Sequence, residues 1–196
     1  EPPKHAVSPI SKTERIAQAA TSTPNWKALS SFDPFLHHAA MMGFVNSQFL
    51  TVAKLSSLED GRQRLGVVQA ARRSQLKAKQ RDQLIATALK DADSSVQLYA
   101  VRWIADERLM QFRQSLDQLL SQRDSTVSLF MATIAAIEWL DSGKVQRKRI
   151  AGETALVAAL KDKSRPAIQA MALKSLPPDH RALTVSFLGE MVTTSD

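Results

Sequence analysis

The sequence predicts an all-α protein, an α-solenoid in which about five antiparallel helix pairs stack side by side into a superhelix. Three observations predict it. Glycine is scarce, with 6 in 196 residues, whereas barrels and sandwiches need frequent Gly-rich turns. Apolar residues recur at three- and four-residue spacing in segment after segment. One helix-start signature also returns at irregular intervals of about thirty residues, as in a helical repeat array.

Residues 1–24 read as a linker running into a partial first helix: Pro2, Pro3, Pro9 and Pro24 interrupt it, and only Thr13 to Ala20 has helical character. Residues 25–196 read as the repeat domain. Its first clear start is Asp33-Pro34-Phe35-Leu36-His37-His38-Ala39-Ala40, a capping Asp with Pro in the first turn and then an apolar face. The same grammar returns at Asp93-Ser94-Ser95-Val96 and Asp124-Ser125-Thr126-Val127. Weaker copies begin at Asp60-Gly61 and at Lys163-Ser164-Arg165-Pro166, where Lys stands in place of the Asp. These starts are 27, 33, 31 and 39 residues apart.

Shorter amphipathic segments lie between the starts and supply the partner helices: Ser47 to Leu55, Arg81 to Lys90, Leu109 to Gln122 and Glu153 to Lys161. In the third pair, Leu84, Ile85, Ala88 and Leu89 form one face, and Val96, Ala100, Trp103 and Ile104 form the next. Neither face can hide alone, so each pair needs a neighbouring pair. His180 to Val192 reads as the first helix of a sixth pair. With Glu1-Pro2-Pro3 at the start and no initiator Met, the expectation is a piece of a longer polypeptide, cut at both ends.

Asp93/Val96/Ala100 and Asp33/Leu36/Ala40 resemble HEAT-like repeats. The Arg common four positions after the Asp in such repeats occurs only as Arg64; His37, Gln97 and Ser128 replace it. Residues 33–40, the run Arg64-Leu65-Gly66-Val67-Val68-Gln69-Ala70-Ala71-Arg72-Arg73 and the run Val101-Arg102-Trp103-Ile104-Ala105-Asp106-Glu107 resemble something narrower. They are similar to the HEAT segment of large planctomycete-type proteins, in which a sugar-dehydrogenase-like propeller precedes the repeats and a c-type cytochrome domain follows. The resemblance spans about residues 33–176. It implies a periplasmic or cell-envelope redox protein in which this armadillo-like segment is the spacer, with neighbouring domains of the same chain as its protein partners.

The chain has no cysteine, which removes disulfides, thiolate metal sites, thiol catalysis and Cys-x-x-Cys-His haem attachment from this segment. No nucleophile-elbow, phosphate-loop, dinucleotide or zinc-protease motif is present. The expectation is a segment without catalytic residues, metal or cofactor. Asp91/Asp93 and Asp106/Glu107 sit where turn and cap chemistry wants carboxylates. His37 and His38 point about 100° apart on a helix and cannot chelate one metal by themselves; His38, aligned with Leu98 and Leu129, is expected to be partly packed. Tyr99, Trp103 and Trp139 could stack a base, but each lies in an apolar helical stripe.

The net charge is +7 and the isoelectric point about 9.9. Two basic clusters carry much of it: Arg72, Arg73, Lys77, Lys79 and Arg81, and then Lys144, Arg147, Lys148 and Arg149. Both fall in connections between helix pairs, so a solenoid would place them on one rim, roughly 20 Å apart at 8–10 Å per helix layer. Such a rim suits an acidic protein or a nucleic-acid backbone, or it is a solvated edge. Insertion into a membrane is not expected, because no apolar run approaches the roughly 18 residues a span requires.

Overall fold

The computed structural model describes residues 25–45, 47–122, 124–142 and 152–193. Among these residues every regular element is helical: eleven α-helices and one 3-10 turn. In chain order they are α1 (Trp26–Leu29), α2 (Pro34–Phe44), α3 (Val52–Ser57), α4 (Gly61–Arg73), α5 (Ala78–Ala88), α6 (Ser94–Asp106), the 3-10 turn Met110–Phe112, α7 (Arg113–Leu120), α8 (Val127–Ser142), α9 (Glu153–Lys161), α10 (Pro166–Ser175) and α11 (Val185–Thr193). The chain divides into two compact units, the first ending at Ala100 and the second beginning at Val101.

In the first unit the helix starts follow the capping grammar. Asp33 accepts the N–H groups of Phe35 and Leu36, Asp60 accepts that of Arg62, and Asp93 accepts that of Ser95. Each relieves donors that the first helical turn leaves without a partner. α2 packs on α1 and on α4; α4 also contacts α1, α3 and α5. The core comprises Leu29, Met41, Phe44, Leu55, Val67, Val68, Leu84 and Ile85, with Val96 and Ala100 of α6. Gly66 permits the α1–α4 approach, because a Cβ there would lie 2.7 Å from Leu29 Cδ2. Trp26 sits edge-on to Phe44 at 4.3 Å between ring centroids, and Lys54 covers it at 4.2 Å.

In the second unit α8 packs on α7 and α10, and α9 on α10. Phe130, Ile134, Leu156, Leu160, Ile168 and Leu176 form one cluster. Gly152 opens α9 in a left-handed conformation, φ 61°, with Ile134 Cγ2 only 2.4 Å from where a Cβ would stand. Arg108 also has positive φ, 51°. It ends α6, with Leu109 N–H returning to the Ile104 carbonyl and Arg108 N–H to that of Ala105, a helix stop that usually recruits glycine.

Several expected boundaries move. Thr126, not Asp124, caps α8, through its hydroxyl to the Leu129 N–H. The Ser47–Leu55 helix begins only at Val52, capped by Thr51. The Leu109–Gln122 segment starts as a 3-10 turn before α7. The final helix begins at Val185 rather than His180, because residues 177–184 turn through His180 N–H to the Pro177 carbonyl and Leu183 N–H to that of His180. The helical character expected of Thr13 to Ala20 lies outside the described residues.

Candidate functional site

Four residues after Asp33, Asp60 and Asp93, and after Arg165 at the start of α10, stands a donor that reaches back to the end of the preceding helix; Ser128, four after Asp124, makes no such bond among the described residues. His37 Nδ1 donates to the Leu29 carbonyl at 2.8 Å, and Gln97 Nε2 to that of Leu89 at 3.2 Å. Arg64 Nη1 donates to the Leu58 and Glu59 carbonyls at 2.9 and 2.7 Å. Gln169 Nε2, four after Arg165, donates to Leu160 at 2.6 Å. These side chains close the carbonyls that a helix C-terminus leaves open, so His37 and Gln97 keep the donor function of an Arg at this position. Arg64 adds a two-pronged pair with Asp91, Nε to Oδ2 at 2.7 Å and Nη2 to Oδ1 at 2.9 Å. The hydrogen bond from Asp91 pushes the guanidinium pKa further above its ordinary value.

A groove of about 380 Å³ opens in the first unit between α2 and α4. Pro34, His37, His38 and Met41 line it from α2, and Arg62, Leu65, Gln69 and Arg73 from α4; Phe32 and Tyr99 complete the wall. On α4 these residues fall at successive intervals of three and four, which is one stripe of the helix. Arg62 stacks on Phe32 at 3.7 Å, and Arg72 faces the Tyr99 ring at 5.8 Å. His37 Nε2 lies 3.0 Å from the Gln69 side-chain amide. His38 is exposed in this groove, which corrects the expectation that it is partly packed: its neighbours Ala39 and Ala40 carry the buried face of α2 instead.

The first basic cluster is described in full. Arg73, Lys77 and Lys79 are exposed, and Arg72 and Arg81 half-buried. Arg73 donates back to the Gln69 carbonyl, and Arg81 pairs with Asp82 at 2.8 Å. The second cluster, Lys144, Arg147, Lys148 and Arg149, lies outside the described residues. Trp103 is buried and its indole N–H donates to Glu107 at 2.6 Å. Trp139 is half-buried beneath Arg108 at 4.8 Å.

A larger cleft, about 690 Å³, lies in the second unit between α7, α8 and α9. Its charged lining is mainly acidic, and its one described cation, Arg113, is held by Asp141 at 2.7 and 2.9 Å and also by Asp117. Those hydrogen bonds, Asp141 first, push the guanidinium pKa up. Among the described residues no group of three His, Asp or Glu side chains could hold a metal ion, and no helix is long and apolar enough to cross a membrane. The groove has two arginines and no carboxylate in its described lining.

Signals for the cap-plus-four donors were present in the sequence; the groove was missed. Arg62 and Phe32 belong to no motif, and only the spacing Arg62, Leu65, Gln69, Arg73 could have pointed to it. No family model, curated protein or solved structure matches the chain.

Proposed function

We propose that the chain is a non-catalytic docking and spacing module. In this reading it is a HEAT-like α-solenoid of about five antiparallel helix pairs that holds neighbouring domains of a larger envelope redox protein at fixed separation. One observation carries the reading: polar side chains repeatedly meet partners about one repeat away. Arg62 reaches the carbonyls of Ser30 and Ser31, 32 and 31 residues back. His37 meets Gln69 at 32 residues, Gln80 the Leu50 carbonyl at 30 and Arg64 meets Asp91 at 27. In the second unit Arg113 meets Asp141 at 28 and His180 meets Glu153 at 27. A row of stacked pairs favours one interval, whereas helices around a single centre have no reason to.

Solution scattering tests the architecture. A row of five pairs has a radius of gyration clearly above the roughly 16 Å expected of a compact domain of this length; a value at that figure overturns the reading. Its function is tested in the parent chain, where chemical cross-links should join this segment to the flanking domains. The competing reading is a nucleic-acid partner for the basic clusters. It predicts a mobility shift with a steep salt slope, abolished by Arg72→Glu, Arg73→Glu, Lys148→Glu and Arg149→Glu together. Absence of any shift at low salt removes it.

A further inference from the structure

We infer that the groove between α2 and α4 binds an extended acidic peptide of a partner protein, with carboxylates at its two ends and an apolar side chain between. The inference rests on the docking reading and names the chemistry of what docks. Arg62 and Arg73 stand eleven residues apart on α4, three turns and about 20° of rotation, so they mark the two ends of one stripe roughly 16 Å long. An extended chain advances about 3.3 Å per residue and alternates its side chains between two faces, so two carboxylates four residues apart, about 13 Å, face the same side and reach both guanidinium groups through their flexible stems.

Between the arginines on α4 lie Leu65 and Gln69, Tyr99 lines the same groove, and Phe32, 86% exposed, offers an apolar face at the Arg62 end. Among the described residues neither Arg62 nor Arg73 closes an ion pair with a carboxylate, although the Arg62 charge helps to lower the Asp60 carboxyl: Arg62 makes long contacts to the Ser30 and Ser31 carbonyls, at 3.5 and 3.4 Å, and Arg73 one of 3.4 Å to Gln69. The nearby carboxylates are engaged elsewhere, Asp33 and Asp60 at helix N-termini. A guanidinium stacked on an aromatic ring keeps its edge free for a carboxylate, which it binds through two parallel N–H groups. His38 adds an exposed imidazole to the same wall.

The test uses fluorescence anisotropy with the labelled, end-blocked peptide Glu-Ser-Leu-Ser-Glu, whose two Glu and Leu share one face when extended, and its Gln-for-Glu counterpart. The acidic peptide should bind about tenfold more tightly than the neutral one, and Arg62→Gln or Arg73→Gln should each remove most of that preference. Lys77→Glu and Lys79→Glu, outside the groove, should leave it within about twofold. Equal binding of both peptides overturns the inference, as does equal loss on changing Lys77 and Lys79, which would report only general charge. A mixed-sequence oligonucleotide that displaces the peptide and binds more tightly through the same arginines overturns it in favour of nucleic acid. If scattering reports an elongated particle and the acidic peptide fails to bind, the groove assignment falls alone; a compact particle removes the docking reading beneath it.

Discussion

The two units hold their helices together with different mixes of polar ties and close fits. In the first unit the turns are tied by polar groups: Arg62 to the Ser30 and Ser31 carbonyls, Asp60 to the Ser30 hydroxyl, and Arg64 to Asp91. In the second unit the corresponding position is Ser128, exposed and too short to reach back. There the ties are a close fit, Gly152 against Ile134, the pairs Arg113–Asp141 and His180–Glu153, and one long side chain, Arg165, whose Nη1 donates to the Leu120 and Gln122 carbonyls. Arg165 spans 45 and 43 residues, the longest of these intervals. The start signature therefore marks where a helix begins, and the chemistry that ties that helix to its neighbours changes from one start to the next.

If shape dominates in the second unit, Gly152→Ala should be the most damaging of small changes. It asks an L residue to hold φ 61° and places a methyl against Ile134, a combined cost of about 3 kcal/mol, read as a lower urea midpoint. Arg64→Leu tests the polar ties. It leaves Asp91, whose side chain is 6% exposed, without its counter-charge, at about 2–3 kcal/mol. Adding Asp91→Ala should recover part of that loss in a double-mutant cycle. Gln169→Leu removes one donor from the Leu160 carbonyl and should cost about 1 kcal/mol; no change would mean that water takes over the carbonyl.

The smallest effect expected concerns acid. The Ser30 hydroxyl, and after it the Arg62 backbone N–H, hold the Asp60 carboxyl below its ordinary value of 3.8. A depressed folded-state value adds stability at neutral pH that is lost as pH falls through the folded value. Ser30→Ala should move the Asp60 titration midpoint, followed by carboxyl NMR, upward towards 3.8 and flatten the acid limb of the stability curve.

The helical content was legible because its signals are local. Asp33, Asp60 and Asp93 cap helices as their spacing implies, and Leu84, Ile85, Val96, Ala100, Trp103 and Ile104 are all buried as the periodicity required. Boundaries slipped where two capping residues compete, as Asp124 and Thr126 do, or where a turn ahead of the helix takes up residues with helical spacing, as between Pro177 and Val185. The groove was not legible because its wall joins Phe32, Arg62 and Tyr99, which are about thirty or more residues apart in the chain. No spacing within one helix announces that Phe32 lies under Arg62. The second basic cluster, on residues 144–149, lies outside the described residues and adds nothing to either side of this comparison.

Arg64 is the residue through which several lengths are measured at once. Its four hydrogen bonds fix where the short helix stops, at Leu58 and Glu59, and where the following turn stands, at Asp91. A lysine has one nitrogen and cannot address both places. The guanidinium thus works as a gauge: adding a residue between positions 58 and 64, or between 64 and 91, would pull one set of acceptors out of its reach, so the chain can change length here only by giving up one of the two grips.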